Sequence, residues 1–508
     1  MPLGDDVLTA PPNCPLRIGA PGEFAQVRAF LAKAGYRDAS LCHALDIPDI
    51  SDLIRVDWER TPLDALSPEL RLILNLFVRT HPSPEAEVTA VWGADTAAAF
   101  LSLGLLRRSQ RHAGHVVATV FLSPIGDFVV ASDLSRDPDG GELAPYDDIV
   151  FRPLHRLTLQ YLRFLPDLRQ GEALDLCGGC GIGALHLART ARVAVTADLT
   201  PRSAFFAAFN GRLNESPMVS RCGDLYAPVE GEQFDLIAAH PPYVPDIGST
   251  TVYRDGGEAG ETIVRRMVEG LARHLRPGGT CVIFCLARDT NARPFEQRVR
   301  DWLGEAAQEF DIVFGADETR SIAQVVESQR HWVKGDANAA LRRLDQRLRD
   351  LDTLQFVYGA LFVRRHPASI GSQPLRLQIT ANASATDFDR VLAWRARRGQ
   401  PDFRKFLAGV CPVLAPHLEL HTRHVVKDSQ LAVSEMLFRV SREFESALQP
   451  ELWIVPVISK LNGRQSVAEV YDTARAAGEL PDGFPLAPFI ELIDLMVERG
   501  FLQIGPSE

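Results

Sequence analysis

The chain reads as an α/β protein: a mostly parallel, doubly wound sheet with helical, winged-helix-like units before and after it. Three observations carry that reading. Between about 149 and 366, short apolar runs alternate with helical stretches, as they do where parallel strands are joined by helical crossovers. One apolar run ends at Asp175 and passes into Cys177-Gly178-Gly179-Cys180-Gly181, a glycine-rich turn of the kind that cradles a nucleotide between strand and helix. A later run ends at His240-Pro241-Pro242-Tyr243, which sets a polar ring and an aromatic just beyond a buried strand.

At 508 residues the chain exceeds what one hydrophobic core supports. It divides into 1–145, 146–366 and 375–508. In the first part, Ser67 caps a helix with Pro68 at its first position, and Leu72, Leu76 and Phe77 follow at helical spacing. A second helix, 94–103, stops at Gly104. Strands are expected at 116–122 and 128–131, joined by the turn Ser123-Pro124-Ile125-Gly126. Helices followed by a hairpin suggest a winged-helix-like module, and Ser135-Arg136-Asp137-Pro138-Asp139-Gly140-Gly141 has the composition of a linker. In the middle part, strands are expected at 173–176, 194–197, 234–239 and 281–286, with a closing pair at 310–314 and 356–363. Ala368-Ser369-Ile370-Gly371-Ser372-Gln373-Pro374 marks the exit. The last part starts irregular and ends with helices at 467–477 and 487–499. Gly500-Phe501-Leu502 closes it much as Gly104-Leu105-Leu106 closes the earlier helix.

Composition narrows the function classes. A chain with 46% hydrophobic and 23% charged residues is an ordinary soluble globular protein. No apolar run reaches membrane-spanning length; the best, Cys281-Val282-Ile283-Phe284-Cys285-Leu286-Ala287, suits a buried strand. Met1-Pro2-Leu3-Gly4-Asp5-Asp6 lacks the basic start of a secretory signal, so a cytoplasmic location is expected. A formal charge of −11 disfavours non-specific binding to duplex nucleic acid. The basic run Trp394-Arg395-Ala396-Arg397-Arg398 is read as a solvated helix face. Eight cysteines show no disulfide framework. Cys177 and Cys180 form a C-x-x-C without a second pair, so neither zinc nor redox chemistry is expected there, and no metal is expected at His417, His421 and His424.

The cofactor signals come in order. Asp175 ends a strand, and Gly178, Gly179, Gly181 and Gly183 follow, where the backbone must turn sharply and approach a ligand. Asp198 ends the next strand, where a carboxylate grips ribose hydroxyls. Gly223-Asp224-Leu225 comes third, with an acid able to accept from an adenine amino group. A nicotinamide enzyme would prefer G-x-G-x-x-G; in Gly179-Cys180-Gly181-Ile182-Gly183 the final glycine comes one place early. A Pro-Pro-Tyr corner serves methyl transfer to a planar nitrogen and has no use in hydride transfer.

With these motifs, the segment 149–290 resembles the class I S-adenosylmethionine-dependent methyltransferases, and most of all the branch that methylates glutamine in protein release factors. That family carries D-x-G-x-G-x-G, a ribose-binding acid, a G-D motif, N-P-P-Y, a later G-G-x-x-G and an upstream Arg-Pro. The counterparts here run from Asp175 to Gly181, then Asp198, Gly223-Asp224, His240 to Tyr243, Gly256-Gly257-Glu258-Ala259-Gly260 and Arg152-Pro153, with Leu275-Arg276-Pro277-Gly278-Gly279 leading into the fifth strand. The resemblance implies a Rossmann-like, seven-stranded domain that binds S-adenosyl-L-methionine and releases S-adenosyl-L-homocysteine. Carried over residue by residue, it assigns cofactor binding to Arg152, Pro153, Asp175, Cys177, Gly178, Gly179, Gly181, Asp198, Leu199, Asp224, Leu225 and His240. It assigns catalysis to His240, Pro241 and Tyr243.

Four features depart from the family. Cys177 replaces the first motif glycine, and His240 stands where the family has Asn. No Glu-Pro precedes the G-G-x-x-G segment, and a long C-terminal part follows the catalytic segment. A neutral imidazole has one donor and one acceptor and, unlike Asn, can take a proton. His240 is therefore expected either to accept a hydrogen bond or to act as base toward a substrate N–H or O–H; filling the corner is the bland alternative. The expected activity is N-methylation of an amide or amine in a peptide, protein or specialised small molecule. The alternatives are O-methylation with His240 as base, nucleobase N-methylation, which the acidic charge disfavours, and a non-catalytic cofactor-binding sensor. No membrane partner is expected. The terminal units are expected to select the acceptor or to build a homodimer.

Overall fold

The computed structural model describes residues 9–141, 147–248, 252–333, 335–369 and 371–504. The N-terminal hexapeptide considered as a leader and Ile370 of the exit segment lie outside the described residues. Two compact units result: Met1–Phe295 with Arg320–Phe356, and Glu296–Thr319 with Val357–Glu508.

The first unit opens with helices. The Ser67 hydroxyl accepts from the Leu70 N–H at 3.2 Å and Pro68 fills the first helical position, so helix Pro68–Ile73 starts where the sequence signals it. It continues through a π turn, Leu74–Val78, which buries Leu72, Leu76 and Phe77 together. Gly104 (φ 74°) ends the stretch after helix Ala94–Ser102, with the Pro15 carbonyl so near that a Cβ would fall 2.0 Å from its oxygen. The run 116–122 is not one strand. His115–Ala118 lies between Ser83–Pro84 and Leu106–Arg108 in a three-stranded sheet, whereas Phe121–Ile125 pairs with Phe128–Ser132. Ser123, Pro124 and Ile125 are thus strand residues, and the reversal falls at Gly126-Asp127. A two-stranded ladder consists of edges, which tolerate a proline.

The outer edge of Phe128–Ser132 is satisfied by side chains of helix Pro201–Leu213 and its C-cap residue Asn214. Asn210 accepts from the Ala131 N–H (2.8 Å) and donates to its carbonyl (2.9 Å); Asn214 does the same at Val129 (2.9 and 2.8 Å). Two asparagines four apart on one helix face act as a surrogate strand. Asn210 also donates to the Cys180 carbonyl at 2.9 Å, tying this edge to the glycine turn. The stretch 135–141 is not a free linker. Asp139 is buried and accepts from the Arg107 guanidinium and the Ser109 hydroxyl, both at 2.5 Å, which fastens the segment to the N-terminal module.

The centre of the first unit is a parallel sheet of β1 (Glu172–Leu176), β2 (Val193–Asp198), β3 (Val219–Cys222), β4 (Phe234–Ala239) and β5 (Leu275–Thr290), in the order β5-β4-β1-β2-β3. β1, β2, β4 and the 280–287 part of β5 are largely apolar and buried, as helix-covered parallel strands must be, whereas the edge strand β3 is mostly uncovered. The register aligns Leu176 with Ala197 and with Ala239, and Asp198 with Cys222. Cys177, Leu199, Gly223 and His240 therefore leave the sheet along one edge, where open α/β sheets bind ligands.

In the second unit, the expected closing pair extends to Phe310–Arg320 and Thr353–Arg365, part of the latter lying in the first unit. The part after 375 does not start irregular. Leu375–Ile379 pairs parallel with Phe310–Arg320 and antiparallel with Phe444–Leu448, and a long hairpin, Glu419–Lys427 with Gln430–Ser441, continues the mixed sheet. Five alternating residues are too short a pattern to stand out before helix Ala385–Arg398. The basic run on that helix is not a solvated face. Arg395 is buried against Asp311 (2.9 Å) and Glu498 (2.8 Å), and Arg398 reaches Asp494 and Glu498. Helices Val467–Ala476 and Leu486–Glu498 pack in this unit's core, and Gly500 (φ 81°) turns the chain into Leu502–Ile504 as Gly104 turns it toward Leu106–Arg108. Among the described residues, no helix is long and apolar enough to cross a membrane.

Candidate functional site

A cavity of about 540 Å³ opens at the C-terminal edge of β1, β2 and β4, wholly within the first unit. The glycine turn forms one wall. A Cβ at Gly178 would fall 1.9 Å from the Thr196 hydroxyl, so only glycine fits, whereas Gly179 (φ 54°) faces open space. Cys177, in place of a family glycine, also has a left-handed backbone (φ 55°), a conformation that costs a non-glycine residue about 1–2 kcal/mol. Both turn thiols stay protonated: burial, with the acids nearby, pushes Cys177 well up and Cys180 to about 12. Gly181 lines no part of the cavity; it packs on Ala207 and Met218, where a Cβ would come within 2.9–3.0 Å.

The three acids differ in what they do. Asp175 is buried, accepts from the Tyr161 hydroxyl (2.8 Å) and the Ala184 N–H (3.0 Å), and supports the turn from beneath. Burial pushes its carboxyl up to about 7 against those hydrogen bonds. Asp198 accepts from Gly179 (2.9 Å) and Thr200 (3.2 Å) backbone N–H groups. Hydrogen bonds from the Ser203 side chain and the Leu199 backbone add to these, and burial raises its pKa against them, so the carboxyl stands fixed at the cavity wall. Asp224 lines the cavity but forms a bidentate pair with Arg266 at 2.6 and 3.2 Å, half exposed. Leu199 and Leu225 border it, Leu199 with 53% of its surface open. Pro153 lines the cavity, while Arg152 turns away and lies 4.8 Å over the Phe121 ring.

The opposite wall is the His240 corner. The imidazole Nε2 stands 3.4 Å from the Tyr243 hydroxyl, and the ring lies against Tyr243 (5.6 Å, 24°), Tyr161 (5.5 Å) and the edge of Phe284 (5.6 Å). Desolvation by these neighbours, then the charge of His155, lowers its pKa to about 3. The ring is therefore neutral at any pH where the protein would work, an acceptor or donor of hydrogen bonds and a weak base. Pro241 and Pro242 complete the corner. The G-G-x-x-G segment braces it: Cβ atoms at Gly256 and Gly260 would fall 2.8 and 2.4 Å from Tyr243 backbone atoms.

Several cavity residues carry no motif. Phe151 stacks on Tyr253 (4.9 Å, 19°), His155 caps helix Arg156–Arg163, and Arg254 lies under Trp332. Only adjacency to Arg152-Pro153 and to Gly256 marked Phe151 and Tyr253 in the sequence; Trp332 had no signal at all.

These residues fit a nucleotide-bearing methyl donor: a glycine-rich wall that lets a ligand approach the backbone, a fixed acid at the end of the next strand, and an aromatic corner facing them. The methyltransferase small domain family matches residues 157–305. A release factor glutamine methyltransferase of Koribacter versatilis (strain Ellin345) is 32% identical over 155 residues, covering 28% of this chain and 55% of the relative. A ribosomal protein uL3 glutamine methyltransferase of Bradyrhizobium diazoefficiens is 33% identical over 125 residues, covering 21% of this chain and 38% of the relative. The chain spans about half the length of the curated relatives it matches. Among solved structures, the 16S rRNA N2 G1207 methyltransferase of T. thermophilus aligns at 16% identity over 60% of this chain and 71% of its own, with a TM-score of 0.27, too low to bear on fold or function. Residues 157–305 are a methyltransferase small domain of the class I, S-adenosylmethionine-dependent type, distantly homologous to the release factor glutamine methyltransferases.

Proposed function

We propose that the chain is an N-methyltransferase that uses S-adenosyl-L-methionine to methylate an amide or amine of a peptide, protein or specialised small molecule. The observation that supports this most is the convergence of the glycine turn, Asp198 and the His240-Pro241-Pro242-Tyr243 corner on one cavity. Bound there, the cofactor supplies an electrophilic methyl group on a sulfonium sulfur. Asp198 is the residue to hold ribose hydroxyls, and the backbone of Gly178 and Gly179 makes close approach possible. His240, neutral in its aromatic setting, accepts a hydrogen bond from the acceptor N–H, and Tyr243 packs on the planar group. The nitrogen lone pair is thereby turned toward the methyl group, and rate comes from positioning. A ring with so low a pKa is poorly suited to deprotonate a hydroxyl, which favours nitrogen over oxygen.

The N-terminal helices with the strand order Ser83–Pro84, His115–Ala118, Leu106–Arg108 support a winged-helix reading of the module that would select the acceptor. The exposed edge strand Glu419–Lys427 is where a homodimer through the terminal parts would form, and a cytoplasmic location belongs to the same reading. The relatives are named for protein glutamines, so purified release factor and ribosomal protein uL3, together with small primary amides, are the first acceptors to try with methyl-labelled cofactor. Label on nitrogen, reduced about 100-fold or more in His240→Ala and retained in His240→Asn, is expected. Tight cofactor binding without transfer to any acceptor would instead favour the sensor.

A further inference from the structure

Among the described residues, the first unit buries an arginine with no carboxylate at ion-pair distance, on the cavity wall that carries Tyr253 and Trp332. Four arginines of the described chain are buried: Arg202, Arg254, Arg288 and Arg395. Three sit on carboxylates, Arg202 on Asp133 (2.6 Å), Arg288 on Glu261 (2.8 Å) and Arg395 on Asp311 (2.9 Å). Arg254, 8% exposed, has no carboxylate at ion-pair distance among the described residues. Its guanidinium donates to the Gln329 side-chain oxygen and stands 4.6 Å from the Trp332 ring centroid. An amide and an indole carry no net charge. The adjacent Asp255 carboxylate is turned to the Gly257 N–H at 2.8 Å. Burying a cation without its counter-ion is costly, and burial holds the Arg254 pKa below the ordinary value against the smaller opposing pull of Tyr253 and Asp255. Of its five N–H donors, one is used among the described residues.

We infer that Arg254 binds a carboxylate of the methyl acceptor, so that the substrate is a molecule with a carboxylate placed within reach of the Tyr243 corner. This rests on the proposed function and adds the acceptor's chemical class. Position separates the acceptor's carboxylate from the cofactor's own. The Arg254 carbonyl accepts from the Val244 N–H at 3.1 Å, so Arg254 is braced against the residue that follows Tyr243, and it lines the cavity with Tyr253 and Trp332. The glycine turn and Asp198 form the other wall. A single guanidinium balances one charge, which fits a carboxylate better than a doubly charged phosphate, and its planar fork matches a carboxylate bidentately.

The test uses benzoate and its neutral isostere benzamide as probes on the full chain with S-adenosylhomocysteine present, followed by titration and thermal unfolding. Benzoate should bind wild type at least about tenfold more tightly than benzamide, and Arg254→Met should erase the difference. The affinity for S-adenosylhomocysteine should stay within about threefold in that variant. Without probes, Arg254→Met should melt no lower than wild type, because an unpaired buried charge has been replaced by apolar surface, whereas the paired Arg288→Met should melt lower. Equal binding of the two probes to wild type, a preference that survives Arg254→Met, or loss of S-adenosylhomocysteine in the variant would each overturn the inference, the last by assigning Arg254 to the cofactor. If wild type fails to bind S-adenosylhomocysteine, the functional reading falls, while the benzoate comparison on the protein alone still decides the role of Arg254.

Discussion

Replacing Gly183 by alanine should destabilise the protein, against the ordinary expectation for a helix. Gly183 lies in helix Ile182–Leu187, where alanine is normally favoured by about 1 kcal/mol. Here an added Cβ would fall 2.6 Å from Asp175 Oδ1 and 2.7 Å from both Cγ and Oδ2. All three contacts are below any real Cβ separation, and the carboxyl cannot swing aside without breaking its bonds to Tyr161 and Ala184. Overpacking costs about 1–3 kcal/mol, and each hydrogen bond lost to a charged group about 1.5–3 kcal/mol. With one of the two hydrogen bonds lost and the helix gain subtracted, a net loss of about 1.5–5 kcal/mol is expected. Guanidinium denaturation of Gly183→Ala, Asp175→Ala and the double variant measures it. Because the new methyl fits the space the carboxyl vacates, the double variant should be more stable than the sum of the singles by at least about 1 kcal/mol. Stabilisation by Gly183→Ala, or strict additivity, would refute the reasoning.

Three further outcomes are expected. Cys177→Gly should raise stability by up to about 1 kcal/mol in chemical denaturation, because the left-handed backbone at Cys177 is one that glycine adopts freely, less the entropy that glycine adds to the unfolded chain. Asp175 has its folded pKa raised to about 7 by burial; its protonated form is favoured in the fold, so its contribution is full below about pH 4 and is lost as pH rises through about 7. Thermal unfolding of the protein without ligand from pH 5 to 8 should show that decline, with a shallower slope in Asp175→Asn. His240, lowered to about 3 by desolvation, should show neutral imidazole resonances in NMR down to about pH 5, its contribution to stability being present above its ordinary pKa near 6.5 and lost as pH falls toward 3; a titration near 6.5 would return the general-base reading to first place.

What the sequence made legible was whatever needed special backbone geometry. The glycines after Asp175, the acid ending β2 and the prolines after β4 are set by local rules, and a parallel sheet aligns their strands at one edge without further information. Roles within the motifs were less legible. Asp175 and Gly181 belong to the motif yet serve its packing, and Asp224 is engaged by Arg266 from a helix far along the chain. The cavity wall around Tyr253 was hidden for the same reason: Phe151, Arg254 and Trp332 come to one cavity only after folding, with no spacing to betray them. The errors at 135–141 and in the basic run at 394–398 share one cause, tertiary partners that override local composition: Arg107 and Ser109 for Asp139, and Asp311 and Glu498 for Arg395.

The most direct test of the account is calorimetric titration of S-adenosylhomocysteine into wild type and Asp198→Ala. Asp198 is fixed at the cavity wall by the Gly179 and Thr200 backbone N–H groups, so removing it takes away the carboxylate proposed to accept from ribose hydroxyls, at about 1.5–3 kcal/mol per hydrogen bond. Saturable one-to-one binding to wild type, weakened about 100-fold or more in the variant, is the predicted result. Binding of equal strength in both proteins would place the cofactor elsewhere, and no heat in wild type would contradict the cofactor site itself.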